Sequence, residues 1–167
     1  MRVMGIDCGG EYTGFGVVEQ ISTGDLVCLE VGAIRLSQQE KLEKRLDQIF
    51  LRLTEIIERT QPEIVAIEDV FHAANSKTAL KLGHVRGVAM LSAARMGLSV
   101  VAYAPLTVKS AVVGYGRAEK SQVQMMVTRL LKLKSIPEPA DAADALAIAI
   151  CHLHTAATLN RYTAKAH

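Results

Sequence analysis

The sequence predicts an α/β domain built on a mixed sheet, and three features carry that prediction. Three short β-patterned segments follow one another at the start of the chain. Helical and strand-like patterns alternate after them. The chain has 167 residues, of which 50% are hydrophobic and 22% charged, the size and composition of one globular domain with its own core.

The elements follow in order. Met1 to Asp7 reads as a buried strand, and Cys8-Gly9-Gly10-Glu11 supplies turn residues. Thr13 to Gln20 and Leu26 to Leu36 read as two further strands, which completes an antiparallel meander. From Gln38 to Thr60, Leu42, Leu46, Ile49, Leu53, Ile56 and Ile57 recur at helical spacing among charged residues, and Gln61-Pro62 ends the run. Ile64-Val65-Ala66-Ile67 has the short, wholly apolar character of a strand buried in a parallel sheet, and it delivers Glu68 to the strand's carboxyl end. Ser76 is a candidate cap for a helix running to about Met96. In that helix Ala79, Gly83 and Gly87 form a small-residue stripe, which either seats the helix on the sheet, the reading favoured here, or forms a dimer seam. Leu98 to Tyr103 reads as another strand, and Thr107 as the cap of a short helix broken by Gly114-Tyr115-Gly116. Glu119 to Leu133 is helical again, and Pro137 and Pro139 introduce the last helix. Residues 1–158 are expected to form a single domain and residues 159–167 a flexible C-terminal tail.

Composition narrows the function. The longest uncharged stretch, Ala145 to Leu159, is shorter than the roughly 20 apolar residues of a membrane span and lies at the wrong end for a signal sequence, so a cytoplasmic protein is expected. Cys8, Cys28 and Cys151 are odd in number, far apart and outside any C-x-x-C pair, which favours reduced thiols over disulfides or structural zinc. The net charge of +2 hides a strong asymmetry. Residues 1–71 hold seven Lys/Arg against thirteen Asp/Glu, whereas residues 72–134 hold ten Lys/Arg against the single Glu119. The basic middle section, including Lys77, Lys81, Arg86, Lys109, Arg117 and Lys120, is a candidate nucleic-acid surface if its side chains share a face.

Four acids stand out. Asp141 and Asp144 are three apart at a helix start, on one face of its first turn, a position that acids also occupy to complement the helix dipole. Asp7 and Glu68 each end a core strand, where an ionised carboxylate is expensive unless a partner or a bound cation offsets the cost. With no His or Cys cluster beside them, the four point to oxygen-seeking Mg²⁺ or Mn²⁺ rather than zinc. Two such ions about 4 Å apart would support phosphodiester hydrolysis without a covalent intermediate. Asp7 is the expected bridging ligand, with Glu68 on one ion and Asp141 or Asp144 on the other.

The chain resembles the RuvC-type Holliday junction resolvases of the RNase H-like superfamily. The resemblance rests on Ile6-Asp7 with Gly9 and Thr13-Gly14; Ala66-Ile67-Glu68 with Val70-Phe71; Ala79-Leu80-Lys81-Leu82-Gly83 with Arg86-Gly87-Val88-Ala89; Ala118-Glu119-Lys120-Ser121-Gln122-Val123; and Ala140-Asp141-Ala142-Ala143-Asp144-Ala145-Leu146. It implies an RNase H-like fold with a five-stranded mixed sheet flanked by helices. It further implies a homodimer that nicks two opposing strands of a four-way junction in recombination and repair, supplied by a branch-migration helicase complex. By the resemblance the catalytic, metal-binding acids are Asp7, Glu68, Asp141 and Asp144, the DNA-contacting lysines are Lys109 and Lys120, and the junction-probing aromatic is Phe71. Two departures stand out: Cys8 replaces a common Pro and brings a thiol beside the metals, and Asp69 replaces a common neutral amide.

Other readings compete. Asp7-Cys8-Gly9-Gly10 with Thr13 and Gly14-Phe15-Gly16 is similar to the first phosphate loop of sugar kinases and actin-like ATPases, but 167 residues leave no room for their second domain. A non-cleaving scaffold for branched DNA gains nothing from acids facing phosphates. An RNase H-like nuclease acting on RNA remains open.

Overall fold

A computed structural model describes residues 1–69 and 76–165. Five strands, β1 (Arg2–Cys8), β2 (Tyr12–Gln20), β3 (Leu26–Arg35), β4 (Ile64–Glu68) and β5 (Ser99–Tyr103), form one sheet in the order β3-β2-β1-β4-β5. The meander β1-β2-β3 is antiparallel, whereas β4 and β5 run parallel to β1. The fold is the five-stranded mixed sheet that the sequence predicted.

Helices cover both faces. On one lie α1 (Leu42–Thr60) and α2 (Ser76–Arg95), packed on Met4, Ile6, Phe15, Val17, Val65 and Ile67. On the other lie α3 (Pro105–Val113), α4 (Lys120–Leu130) and α5 (Ala140–Lys165), packed on Val3, Val18 and Ala66. Strand alternation makes this partition: in β1, even-numbered residues face α1 and α2, and odd-numbered residues face α5. Each fully buried Ile or Leu in these layers contributes about 1.5–3 kcal/mol of transfer free energy.

Several elements differ from their sequence-based expectation. Helix α1 starts at Leu42 rather than Gln38, because Ser37 to Glu40 closes a turn through a Glu40 N–H bond to the Ser37 carbonyl at 3.3 Å. It ends as expected, with Gln61 in the left-handed region donating its N–H to Ile57. Thr107 lies inside α3 instead of capping it: Ala104 is the cap and Pro105, with φ fixed and no N–H to lose, begins the helix. The Ala79-Gly83-Gly87 stripe does not seat α2 on the sheet. It faces outward, and a Cβ built on Gly83 or Gly87 meets nothing within 4 Å, whereas Val85, Ala89, Ser92 and Ala93 make the buried contact. Helix α5 continues through residue 165.

The three cysteines are unbonded. Among the described residues no helix is long and apolar enough to cross a membrane.

Candidate active site

The acids meet because three backbone elements converge. Asp7 is an odd-numbered residue at the end of β1, so it faces α5. Ile6 pairs with Ile67 in the parallel β1–β4 ladder, and one further step puts Glu68 beside Asp7 on the same face. Helix α5 brings Asp141 and Asp144 over them from its first two turns.

Close approach makes the convergence possible. Helix α5 lies directly on glycines of β1 and β2: a Cβ on Gly5 would fall 2.0 Å from the Ala145 carbonyl oxygen, and one on Gly14 would fall 2.0 Å from that of Asp141. A Cβ on Gly16 would fall 2.6 Å from the Leu146 side chain. Opposite them, the helix presents Ala142, Ala145 and Ala149, all fully buried. Gly9 in the β1–β2 turn is equally confined, since a Cβ there would lie 2.6 Å from Asp141 Oδ1. The sequence reading took Gly9, Gly14 and Gly16 as turn, family or phosphate-loop residues, not as a seat for a helix, and passed over Gly5. The signal that was available is the pair Gly14 and Gly16, two apart in β2 and so on one face.

The electrostatics are those of crowded carboxylates. Burial first, then Asp144, Glu68 and Asp141, push the Asp7 carboxyl from 3.8 up to about 7. Burial and the neighbouring Asp144 also raise Glu68. Burial raises Asp144 despite Lys120, whose Nζ lies 2.6 Å from Asp144 Oδ2. Burial works against the Lys120 charge, but Asp144, Asp7 and Asp141 outweigh it and raise the ammonium. Lys109 and Lys120 line a cleft of about 230 Å³ with Glu68, Asp144, Pro105, Val108, Val123 and Ala147. A larger hollow of about 540 Å³ between β3 and α1 contains none of the four acids.

The donor set fits hard divalent cations. Among the described residues Asp7, Glu68 and Asp141 make no side-chain hydrogen bond or ion pair, so the charge they share is matched only in part by Lys120 and Lys109. The four acids nevertheless do not close into a finished cage: among the described residues no three ligating side chains gather at one point.

The remaining candidate residues are scattered. Lys77 and Lys81 are exposed on α2, and Arg117 is exposed between α3 and α4. Arg86 is engaged internally: its Nη2 donates to Asp69 Oδ1 at 2.9 Å. The added charge at Asp69 is thereby answered by α2 rather than directed at the metals. Cys8, even-numbered, faces the α1–α2 layer and not the acids, which corrects the expectation of a thiol beside the metals. Burial together with Asp7 pushes its thiol up to about 12, so it stays protonated. Phe71 lies outside the described residues.

Residues 3–152 match the family model for the crossover junction endodeoxyribonuclease RuvC. The chain belongs to the RuvC family. It is 66% identical over 166 residues to the crossover junction endodeoxyribonuclease RuvC of Koribacter versatilis, covering 99% of this chain and 100% of that protein. The RuvC of Thermus thermophilus superimposes with a TM-score of 0.87 at 38% identity, covering 95% of this chain and 96% of that one. A second Thermus thermophilus RuvC structure, in complex with a Holliday junction substrate, gives a TM-score of 0.87 at 35% identity with the same coverage. The RuvC likeness spans the elements that carry all four acids and both cleft lysines.

Proposed function

We propose that the chain is a divalent-metal-dependent endodeoxyribonuclease that resolves four-way DNA junctions by paired, symmetric nicks. The observation that carries the reading is the joining of Asp7, Glu68, Asp141 and Asp144 on one sheet face, next to the Lys109–Lys120 cleft, in a chain of the RuvC family.

Mg²⁺ is the expected cofactor, two ions per site, with Mn²⁺ as a substitute. Asp7 would be shared between the ions, with Glu68 toward one and Asp141 or Asp144 toward the other. Bound there, the cations supply water activation and neutralise charge on the leaving oxygen. The protein's own groups do the rest. Lys109 and Lys120 would hold the phosphate, Lys120 turning from the Asp144 carboxylate toward a phosphate oxygen. Gly5, Gly14 and Gly16 fix the sheet-to-helix gap, so closing the carboxylates around a cation would take side-chain rotation and not backbone movement.

The substrate's two-fold symmetry calls for two sites, and the exposed face of α2 supports an isologous homodimer. Ala79, Leu80, Gly83, Gly87, Met90, Leu91 and Ala94 lie along that face at helical spacing, with Leu80 63% and Leu91 51% exposed. A monomer by light scattering at micromolar concentration would argue against this. A branch-migration helicase complex in the cytoplasm is the further partner that family membership implies.

The deciding experiment is cleavage of a labelled four-way junction with and without Mg²⁺, comparing wild type with Asp7→Asn, and using linear duplex and RNA–DNA hybrid as controls. Paired nicks confined to the junction and abolished by Asp7→Asn or by chelation are expected. Binding without cutting would instead favour a scaffold, and cleavage of the hybrid alone would favour an RNA substrate.

A further inference from the structure

Close to the Lys109–Lys120 cleft, though not lining it, stand two exposed apolar side chains that the reaction as described does not use. Leu106, in the first turn of α3, is 65% exposed, and Tyr115, in the turn after α3, is 48% exposed. Single exposed apolar residues are ordinary. These two are distinguished by their position and by how they are held.

Leu106 lies three residues before Lys109, on the same side of α3, and follows Pro105, which lines the cleft. Gly114 ends α3 with φ at 95°, in the left-handed region, and turns the chain back on the helix. The return is tight: a Cβ on Gly116 would lie 3.4 Å from the Leu106 carbonyl oxygen and 3.7 Å from Leu106 Cβ. Tyr115 is therefore brought beside Leu106.

The tyrosine ring is fixed from its far end. Its hydroxyl donates to Gln122 Oε1 at 3.1 Å. The same oxygen accepts the Glu119 N–H at 2.9 Å, the capping box that starts α4. Lys120, next in the chain, reaches Asp144 at 2.6 Å. The first turn of α4 thus holds the tyrosine hydroxyl through Gln122 and meets the acids through Lys120. The surrounding charge is mixed: Lys109, Arg117 and Lys120 are positive, Glu119 caps the helix, and Glu68 and Asp144 lie in the cleft itself.

We propose that Leu106 and Tyr115 form a ledge on which a nucleobase of the cleaved DNA strand packs, setting the position of the scissile phosphate relative to the lysines and acids. The ledge rests on the nuclease reading given above. An aromatic face beside cations at a phosphate-binding cleft is how single-stranded segments are gripped without base-edge contacts. Fixing the ring in advance through Gln122 lowers the ordering cost of that contact.

The test uses the full-length protein and a four-way junction with 2-aminopurine at successive positions around the cut. Binding is followed in chelator by anisotropy and by 2-aminopurine emission, and cleavage is followed in Mg²⁺. Wild type is expected to change the emission of one base adjacent to the cut. Tyr115→Ala should abolish that change and weaken junction binding about ten-fold, toward the lower end of base–aromatic stacking. Tyr115→Phe should keep the emission change and lose no more than about three-fold in binding, because the ring remains while its anchor to Gln122 is lost. Leu106→Gln should fall between the two. Both residues are exposed, so thermal melts of the variants should overlie wild type. Unchanged emission and binding in Tyr115→Ala, with junction binding by wild type intact, would overturn the ledge alone. Failure of wild type to bind the junction would overturn the nuclease reading and the ledge with it.

Discussion

Removing one of the proposed metal-binding acids should make the metal-free protein more stable, in a defined pH window. Asp7 is the most perturbed of the four, its carboxyl raised from 3.8 to about 7 by burial, Asp144, Glu68 and Asp141. A raised folded-state pKa means that the folded form holds its proton more tightly than the unfolded form. The penalty is therefore absent below about pH 4, grows between pH 4 and 7, and is complete above 7. At about 1.4 kcal/mol per tenfold, the lift corresponds to at most about 4 kcal/mol. Burial lowers the His152 imidazole below its ordinary 6.5 and gives the opposite slope there, so the raw pH profile of wild type mixes the two. The useful quantity is the difference between Asp7→Asn and wild type in urea unfolding, in chelator, from pH 4.5 to 8.5. It should be near zero at the acid end and reach a few kcal/mol in favour of Asp7→Asn at pH 8. Mg²⁺ should remove most of that gap by stabilising wild type. An Asp7→Asn protein equal to or less stable than wild type at pH 8 without metal would mean that the Asp7 charge is already compensated, and the case for a cation at this position would collapse.

Other substitutions separate packing from chemistry. Gly14→Ala forces a methyl into the Asp141 carbonyl, which is backbone and cannot yield, so unfolding should show a loss of about 1–3 kcal/mol and junction cleavage should drop about a hundred-fold. Asp69→Asn should change stability by no more than about 1 kcal/mol, since its ion pair with Arg86 is partly exposed. It should also leave the Mg²⁺ concentration for half-maximal cleavage unchanged; a clear shift would make Asp69 a ligand. Arg45, buried in α1, donates to the Gly10 carbonyl at 3.0 Å, while its Nε has no partner among the described residues. Arg45→Met should therefore unfold within about 1.5 kcal/mol of wild type, and a loss of several kcal/mol would show that the bond to the β1–β2 turn outweighs the desolvation it offsets.

Much of this was legible from residue patterns. Ile64 to Ile67 is apolar without alternation, and it is a strand with neighbours on both sides, as that pattern demands. Asp7 and Glu68 drew attention as charges ending such strands, and the ladder sets them side by side. What escaped were the features that depend on which face meets which. The Ala79-Gly83-Gly87 stripe shows close approach is possible but not its direction, and helix α2 turns it outward. Gly5 and Gly16 look like weak strand residues until a helix is laid across them. Arg86 was read among the basic residues available to DNA, but Asp69, seventeen positions earlier, engages it. Thr107 lost its capping role to Ala104, with Pro105 opening the helix, a competition between two start signals that spacing does not rank.

The glycine seat under α5 has a consequence for how this molecule can change. Where side chains separate two layers, a substitution on either side can be absorbed by a rotamer shift. Between Gly5 and Ala145, and between Gly14 and Asp141, main chain bears on main chain, and there is no slack to take up. Two of the four acids ride on one half of that joint and a third on the other, so their spacing is inherited from the fold and not from the identity of surrounding residues. The β1–β2 hairpin and α5 should therefore pass between relatives only as a matched pair. A chimera that takes one from elsewhere would keep every carboxylate in its sequence and still lose the distance between them.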